Sequence, residues 1–332
     1  MKKTALLFVM AAVINPAYAL TLKIATLSPD GSGWMTKMRS GAAEIEQKTQ
    51  QRVTFKFYTG GTMGNDRAVL NKIKIGQLQG GAVTAGSLSD FNKDSQIYSM
   101  PLLFKTFAEV DYVRAKFDPI ISKGLEQGGM VNFGFAEGGF AYAMSKTAPI
   151  PSVVELRKHK VWIPDNDIQA AETLKAFQVT PVPLSLADVL PSLQTGIIDT
   201  VASSPIGTLA LQWHSQVKYL TDLPLSYFVG VLAVDQKAFN KIEPADQAIV
   251  RDVMQRVFKD IDKQNRQDNV AAYNALLKQG IKVVKPSAQE QIEWEKDASI
   301  ATQKIEQAAI VNPTTLQALR AHLKLFKPVA KS

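Results

Sequence analysis

The chain has 332 residues, 38 Lys and Arg against 30 Asp and Glu, a formal charge of +8, and no cysteine. Without cysteine there are neither disulfides nor thiolate metal sites, so a hydrophobic core must hold the fold. The basic residues are scattered rather than massed, which excludes a nucleic-acid footprint and reads as ordinary solubility, with weak attraction to an anionic membrane surface as the lesser alternative.

Residues 1–19 read as a secretory signal peptide. Lys2 and Lys3 form a positive start, residues 4–14 an uncharged apolar run, Asn15 and Pro16 a break, and Ala17-Tyr18-Ala19 a cleavage site. A membrane anchor is the alternative, but no charged stop-transfer flank follows. No Cys follows the cut, which excludes a lipid-anchored form. No later apolar stretch approaches the roughly 20 residues that cross a bilayer. The mature chain is expected to start at Leu20.

From there the pattern alternates. A strand at 20–27 precedes the loop Ser28-Pro29-Asp30-Gly31-Ser32-Gly33. Residues 34–49 have helical periodicity, with Met35, Met38, Ala42 and Ile45 on one face. Strand 53–58, helix 66–75 and strand 81–85 complete a first unit, expected to form a parallel sheet with its ligand at the carboxyl ends of the strands. An extended apolar stretch at 131–144 leads to a second unit: strand 160–163, helix 166–177, extended 179–183, helix 186–195 ending at Gly196, and strand 199–203. The last third reads as a strand at 227–234, one long helix at 244–279 stopped by Gly280, a strand at 281–284, and helices at 288–309 and 313–326. In the long helix Ile249, Val253, Val257, Ile261 and Ala271 lie near one face. Thirty-five helical residues span roughly 50 Å, more than one small lobe, so this helix should bridge two.

Catalytic and metal chemistry leave little trace. His159, His214 and His322 are far apart and lack metal-ligand spacing. His159, inside the run Arg157-Lys158-His159-Lys160, reads as an exposed turn. No nucleophile elbow, phosphate loop or dinucleotide fingerprint is present. The glycine pairs at 60–61, 80–81, 128–129 and 138–139 mark turns and close backbone approaches. No cofactor, metal site or catalytic residue is expected.

Several ordered segments carry a resemblance. Gly61-Thr62-Met63-Gly64-Asn65-Asp66-Arg67, Ile75-Gly76-Gln77-Leu78 and Met100-Pro101-Leu102-Leu103-Phe104 resemble the first lobe of TRAP-transporter solute receptors of the DctP type. Residues 156–164, 181–184, the run 193–199 (LQTGIID) and Ser204-Pro205 resemble the second lobe in the same order. The resemblance covers nearly the whole mature chain. It implies an α/β two-lobe periplasmic binding fold with hinge strands and a lobe-spanning helix. The first lobe would hold 20–142 and 229–266, and the second 143–228 and 267–328. It also implies one solute in the cleft, delivery to integral TRAP membrane subunits driven by an ion gradient, and no enzymatic activity. Some such receptors pair with a periplasmic helical-repeat protein. A monomer is expected, because the long helix shows a charged outer face.

The chain departs from the family at its acid-binding positions. Trp162 stands where most members keep an arginine, Ala141 after Phe140 where a second often stands, and Ser204 where an asparagine is usual. A guanidinium gives a carboxylate two charge-assisted hydrogen bonds, whereas an indole gives one N–H and an apolar face. The solute is therefore expected to be neutral or hydrophobic, or a cation over an aromatic face. Trp162, Phe140, Trp34, Trp213 and Leu186 would wall it, and Asp66, Thr84 and Ser204 would supply polar contacts. For each aromatic the alternative is ordinary core packing, and for Asp66 a helix cap. A competing expectation has Lys160, Arg67 or Arg157 gripping an acid. An envelope lipid carrier or scaffold on the same fold is the alternative function.

Overall fold

A computed structural model describes residues 19–165 and 167–327. The expected leader lies outside these residues except for Ala19, as does Asn166 at the expected start of a helix. In chain order the elements are β1 (Leu20–Thr26), α1 (Gly33–Lys48), β2 (Val53–Tyr58), α2 (Asp66–Lys74), β3 (Gly80–Thr84), α3 (Phe107–Gln127), β4 (Met130–Ser145), α4 (Val153–Leu156), β5 (Trp162–Pro164), α5 (Ile168–Ala176) and β6 (Val182–Leu184). Then come α6 (Val189–Thr195), β7 (Thr200–Ser203), α7 (Pro205–Ala210), β8 (Tyr219–Thr221), β9 (Ser226–Asp235), α8 (Gln236–Phe239), α9 (Pro244–Lys278), β10 (Lys282–Val284), α10 (Ala288–Gln307) and α11 (Pro313–Leu325).

In the first lobe β1 pairs in parallel with both β2 and β3, and β9 then pairs antiparallel with β3 and β4. β1, β2 and β3 thus form the expected parallel unit, and β9 and β4 extend it into a mixed sheet. Two apolar layers cover it. Met35, Met38 and Ile45 of α1 pack with Val253, Phe258 and Ile261 of α9 on one side. Val69 of α2, Val113 and Phe117 of α3 and Leu319 of α11 pack on the other. α3 has no counterpart among the expected elements. Pro119 interrupts its pattern, yet a Thr106–Glu109 capping box starts it and Val110, Val113, Phe117 and Ile121 are buried along it.

β4 joins the lobes. Its first part pairs with β9, and its end, Tyr142 to Ser145, pairs with β7 and β8 of the second lobe. Register shifts fall between Asn132 and Phe135 and between Glu137 and Gly139, where Gly134 and Gly139 adopt positive φ. β5 and β6 form a separate parallel pair. α9 packs on α1, β4 and α7, so it touches both lobes. The helices meet closely at Gly41, where a Cβ would lie 2.6 Å from Val257. The buried face of α9 departs from the expected one beyond Ile261. Ala271 is exposed, and Asn265, Asn269, Ala272 and Leu276 point inward. The two asparagines turn inward because they bond the hinge strand, a polar requirement that apolar periodicity does not register. Gly196 and Gly280 end their helices at φ 78° and 92°, as read from the sequence. No helix among the described residues is long and apolar enough to cross a membrane.

Candidate functional site

The first-lobe candidates sit where β1 and β3 end. Ser32 caps α1 by accepting from the Met35 amide, which fixes Trp34 in the first turn. The Trp34 ring stands edge-on to Phe258 with centroids 5.4 Å apart. It lies so close over β9 that a Cβ on Gly230 would come within 2.6 Å of it. Gly230 is in turn the register partner of Thr84. Trp34 Nε1 is buried without a protein partner.

Asn65 caps α2 through its Oδ1, leaving Asp66 for another task. The Asp66 carboxylate accepts from the Thr84 backbone N–H at 3.0 Å and from its hydroxyl at 2.8 Å. Burial pushes the carboxyl up, and the Thr84 donors pull against that. The cap alternative for Asp66 is thus replaced by a link between α2 and the end of β3. Trp34, Asp66 and Thr84 form one group.

The second-lobe candidates form another. Trp162 is 6% exposed, packs T-shaped on Trp213 at 5.2 Å, and donates its indole N–H to the Leu184 carbonyl at 3.0 Å. Leu186, half-buried, packs on the same cluster. Ser204 lies at the end of β7 and caps α7 by accepting from the Gly207 amide. Phe140 is separate from both groups: it packs between Phe107 at 4.8 Å and Tyr227 at 5.4 Å in the first-lobe core. Ala141 beside it is fully buried.

Two of the proposed acid-binding cations are engaged within the second lobe. Lys160 Nζ donates to the Gly196 carbonyl, and Arg157 donates to the Phe177 carbonyl and pairs with Asp297. Arg67 is exposed in the first turn of α2. His159 is not an exposed turn. It is buried and its Nδ1 lies 3.1 Å from Asp199 and 3.0 Å from the Thr200 hydroxyl, where it ties the approach to β5 onto β7. The apparent surface run is broken because Asp199 supplies a partner from a distant strand. Among the described residues no group of three or more His, Asp or Glu side chains could hold a metal ion.

Sequence reasoning missed three features. The Asn65 amide nitrogen contacts both Asp165 oxygens, at 3.1 and 2.9 Å, across 100 residues. Gln169, in the first turn of α5, is 3% exposed with neither side-chain polar atom bonded to protein. Glu137, Tyr227, Arg266, Arg114 and Asp262 form a buried polar network beside the β4 bulge. None has a local sequence signal, since each depends on side chains brought together by the fold.

The model of the bacterial extracellular solute-binding protein family 7, DctP, matches residues 24–308. The chain belongs to this family. Among curated relatives it is 21% identical over 263 residues to the sialic acid-binding periplasmic protein SiaP of Vibrio cholerae, covering 77% of this chain and 80% of that one. It is 23% identical over 220 residues to the C4-dicarboxylate-binding periplasmic protein DctP of Rhodobacter capsulatus, covering 64% of each. The match to a protein of Salmonella typhimurium, YiiZ, is 26% identical over 212 residues, 62% of this chain and 64% of that one. The first curated relatives are thus spanned over less than two thirds of their length.

Solved structures share the fold over nearly the whole family domain. A TRAP periplasmic solute-binding protein of Ralstonia eutropha with bound (S)-2-acetolactate superposes with TM-score 0.85 at 18% identity, covering 93% of this chain and all of that one. The sugar acid binding protein DctPAm of Advenella mimigardefordensis, in complex with galactonate, gives 0.84 at 16% identity, covering 93% and 99%. The two-lobe fold expected of the family is therefore the fold of this chain.

Proposed function

We propose that the protein is a periplasmic solute receptor that closes two lobes on one small molecule and hands it to the membrane subunits of an ion-gradient-driven TRAP transporter. Family membership over residues 24–308 carries this reading. The leader-like residues 1–19 and the periplasmic relatives support the location. The lobes are taken as 20–142 with 229–266, and 143–228 with 267–328, except that α11 packs Leu316 and Leu319 into the first-lobe core and so goes with the first lobe. An accessory helical-repeat partner, and the lipid-carrier or scaffold alternative, find no support in the relatives' names.

The solute is neutral or apolar rather than an acid held by a guanidinium pair. The observation behind this is Trp162, whose N–H is already bonded to Leu184, together with the buried methyl of Ala141 and the capping hydroxyl of Ser204. A carboxylate enclosed there without a cation would cost several kcal/mol. Apolar contact comes from Leu186 and the Trp162–Trp213 pair, and polar contact from Thr84 and Asp66. Phe140 lies apart from this arrangement, between Phe107 and Tyr227 in the first-lobe core.

Native mass spectrometry of the purified protein, followed by calorimetric titration, tests the reading. A neutral or apolar co-purifying mass is expected, with no binding of galactonate, D-glucuronate or succinate at millimolar concentration. Micromolar binding of any of these acids would sink the solute class and leave the receptor standing. Failure of every solute class, with no co-purifying mass, would count against the receptor.

A further inference from the structure

We infer that Asn65 and Asp165 are positioning residues that hold the two lobes against each other in the closed receptor. The inference rests on the two-lobe reading above but not on the identity of the solute. Asn65 belongs to the first lobe: it caps α2, whose Val69, Leu70 and Ile73 pack into that lobe's core. Asp165 follows β5, which pairs with β6 in the second lobe. Their contact therefore crosses between elements that share no sheet.

The chemistry suits a reversible latch. The Asn65 side chain serves two partners with its two ends. Oδ1 accepts from the Ala68 amide at 3.0 Å, so the side chain is already fixed by the helix start. Nδ2 then points its hydrogens at a carboxylate, touching both oxygens at 3.1 and 2.9 Å. A donor held in place by its own helix loses little rotamer freedom when the partner lobe arrives. A hydrogen bond to a charged acceptor is stronger than a neutral one, yet at this exposed seam it stays weak enough to break on opening. Closure gains this bond only when shut, which is how a contact shifts a two-state equilibrium.

The test exploits the absence of native cysteine. Ile75→Cys and Ile197→Cys place spin labels at positions 69% and 55% exposed, one on each lobe, as the only thiols. Pulsed electron resonance then reads the inter-lobe distance without any solute. Asn65→Asp keeps the cap, because Asp and Asn cap equally well, but sets a carboxylate against Asp165. The closed-to-open ratio should fall about tenfold, the factor set by losing one charge-assisted bond. Asn65→Asp combined with Asp165→Asn rebuilds the same amide–carboxylate pair in reverse and should restore the short distance. An unchanged distance in Asn65→Asp overturns the latch. So does a lengthened distance that the reversed pair fails to restore, because the effect would then be local to α2. Circular dichroism and melting of each variant confirm that folding is unaltered.

Discussion

Tyr227 donates its hydroxyl to the fully buried Glu137 carboxylate at 3.1 Å, and Arg266 of the spanning helix donates to the same oxygen. The pair anchors β9 and α9 to β4 at its bulge. Asp262 accepts from the Glu137 backbone N–H and from Arg114, which also donates to Tyr227 and to the Phe135 carbonyl. Such a network fixes one hinge geometry only when its members are satisfied.

Glu137 gives this network a pH dependence. Burial holds its carboxyl above the ordinary value of 4.5, with Arg266 and Tyr227 pulling the other way. A carboxyl raised in the fold binds its proton more readily folded than unfolded. Its contribution is complete below the unfolded value near 4.5 and fades as pH rises through the folded value. Chemical unfolding of the native protein and of Glu137→Gln should therefore diverge with pH. The advantage of the native protein over the variant is expected to grow as pH falls from neutral toward 5. An advantage that shrinks over that range would show that the carboxyl is not raised.

Asn269 couples the hinge to the start of α7. Its Oδ1 accepts from the Ile206 amide at 3.3 Å, and its Nδ2 donates to the Gly138 carbonyl at 3.2 Å. Asn269→Leu leaves both backbone groups without this partner, which costs about 1–3 kcal/mol for each one left buried. Faster hydrogen exchange at the Ile206 amide should accompany the loss, because α7 starts there. Gly139→Ala should be at least as harmful. Gly139 has φ 99°, and a Cβ there would lie 2.6 Å from Asn269 Nδ2. Urea unfolding of the two variants checks both statements.

The regular elements were legible because they announce themselves locally. Val53–Tyr58 alternates, and Gly196 and Gly280 stop their helices at positive φ. Trp162, Asp66 and Thr84 could be singled out because they sit in or beside ordered motifs. Their actual bonds were not readable. Thr84 reaches Asp66 across 18 residues and Leu184 reaches Trp162 across 22, and no local pattern encodes either. The same holds for buried Arg114 and His159. Arg114 has no local signal at all, and His159 reads as an exposed turn until Asp199 is folded against it.

Gln169 makes a sharp stability test. Its amide is buried with neither oxygen nor nitrogen bonded to protein, although a buried unsatisfied amide costs about 1–3 kcal/mol. Gln169→Leu has comparable volume and removes the polar group. Thermal unfolding should show the variant no less stable than the native protein, by up to roughly 1–2 kcal/mol in its favour. A clear loss of stability would mean that the amide is satisfied in solution.

Substitution at Trp162 tests the proposed solute class. Its N–H is occupied by the Leu184 carbonyl, so under the proposed reading only the ring would meet a solute. Trp162→Phe keeps an aromatic face against Trp213 and leaves that carbonyl unpaired. It should lower stability by about 1–3 kcal/mol while changing the affinity for the co-purifying solute only a few-fold. A hundredfold loss of affinity at unchanged stability would instead place the indole N–H on the solute. Trp162→Arg puts a cation inside a cluster lined by Val189, Leu193 and Trp213. Burying an unpaired guanidinium there should destabilise the ligand-free protein by about 3–5 kcal/mol. Galactonate, by pairing with that cation, should recover part of the loss in a melting experiment and leave the native protein's melting point unmoved.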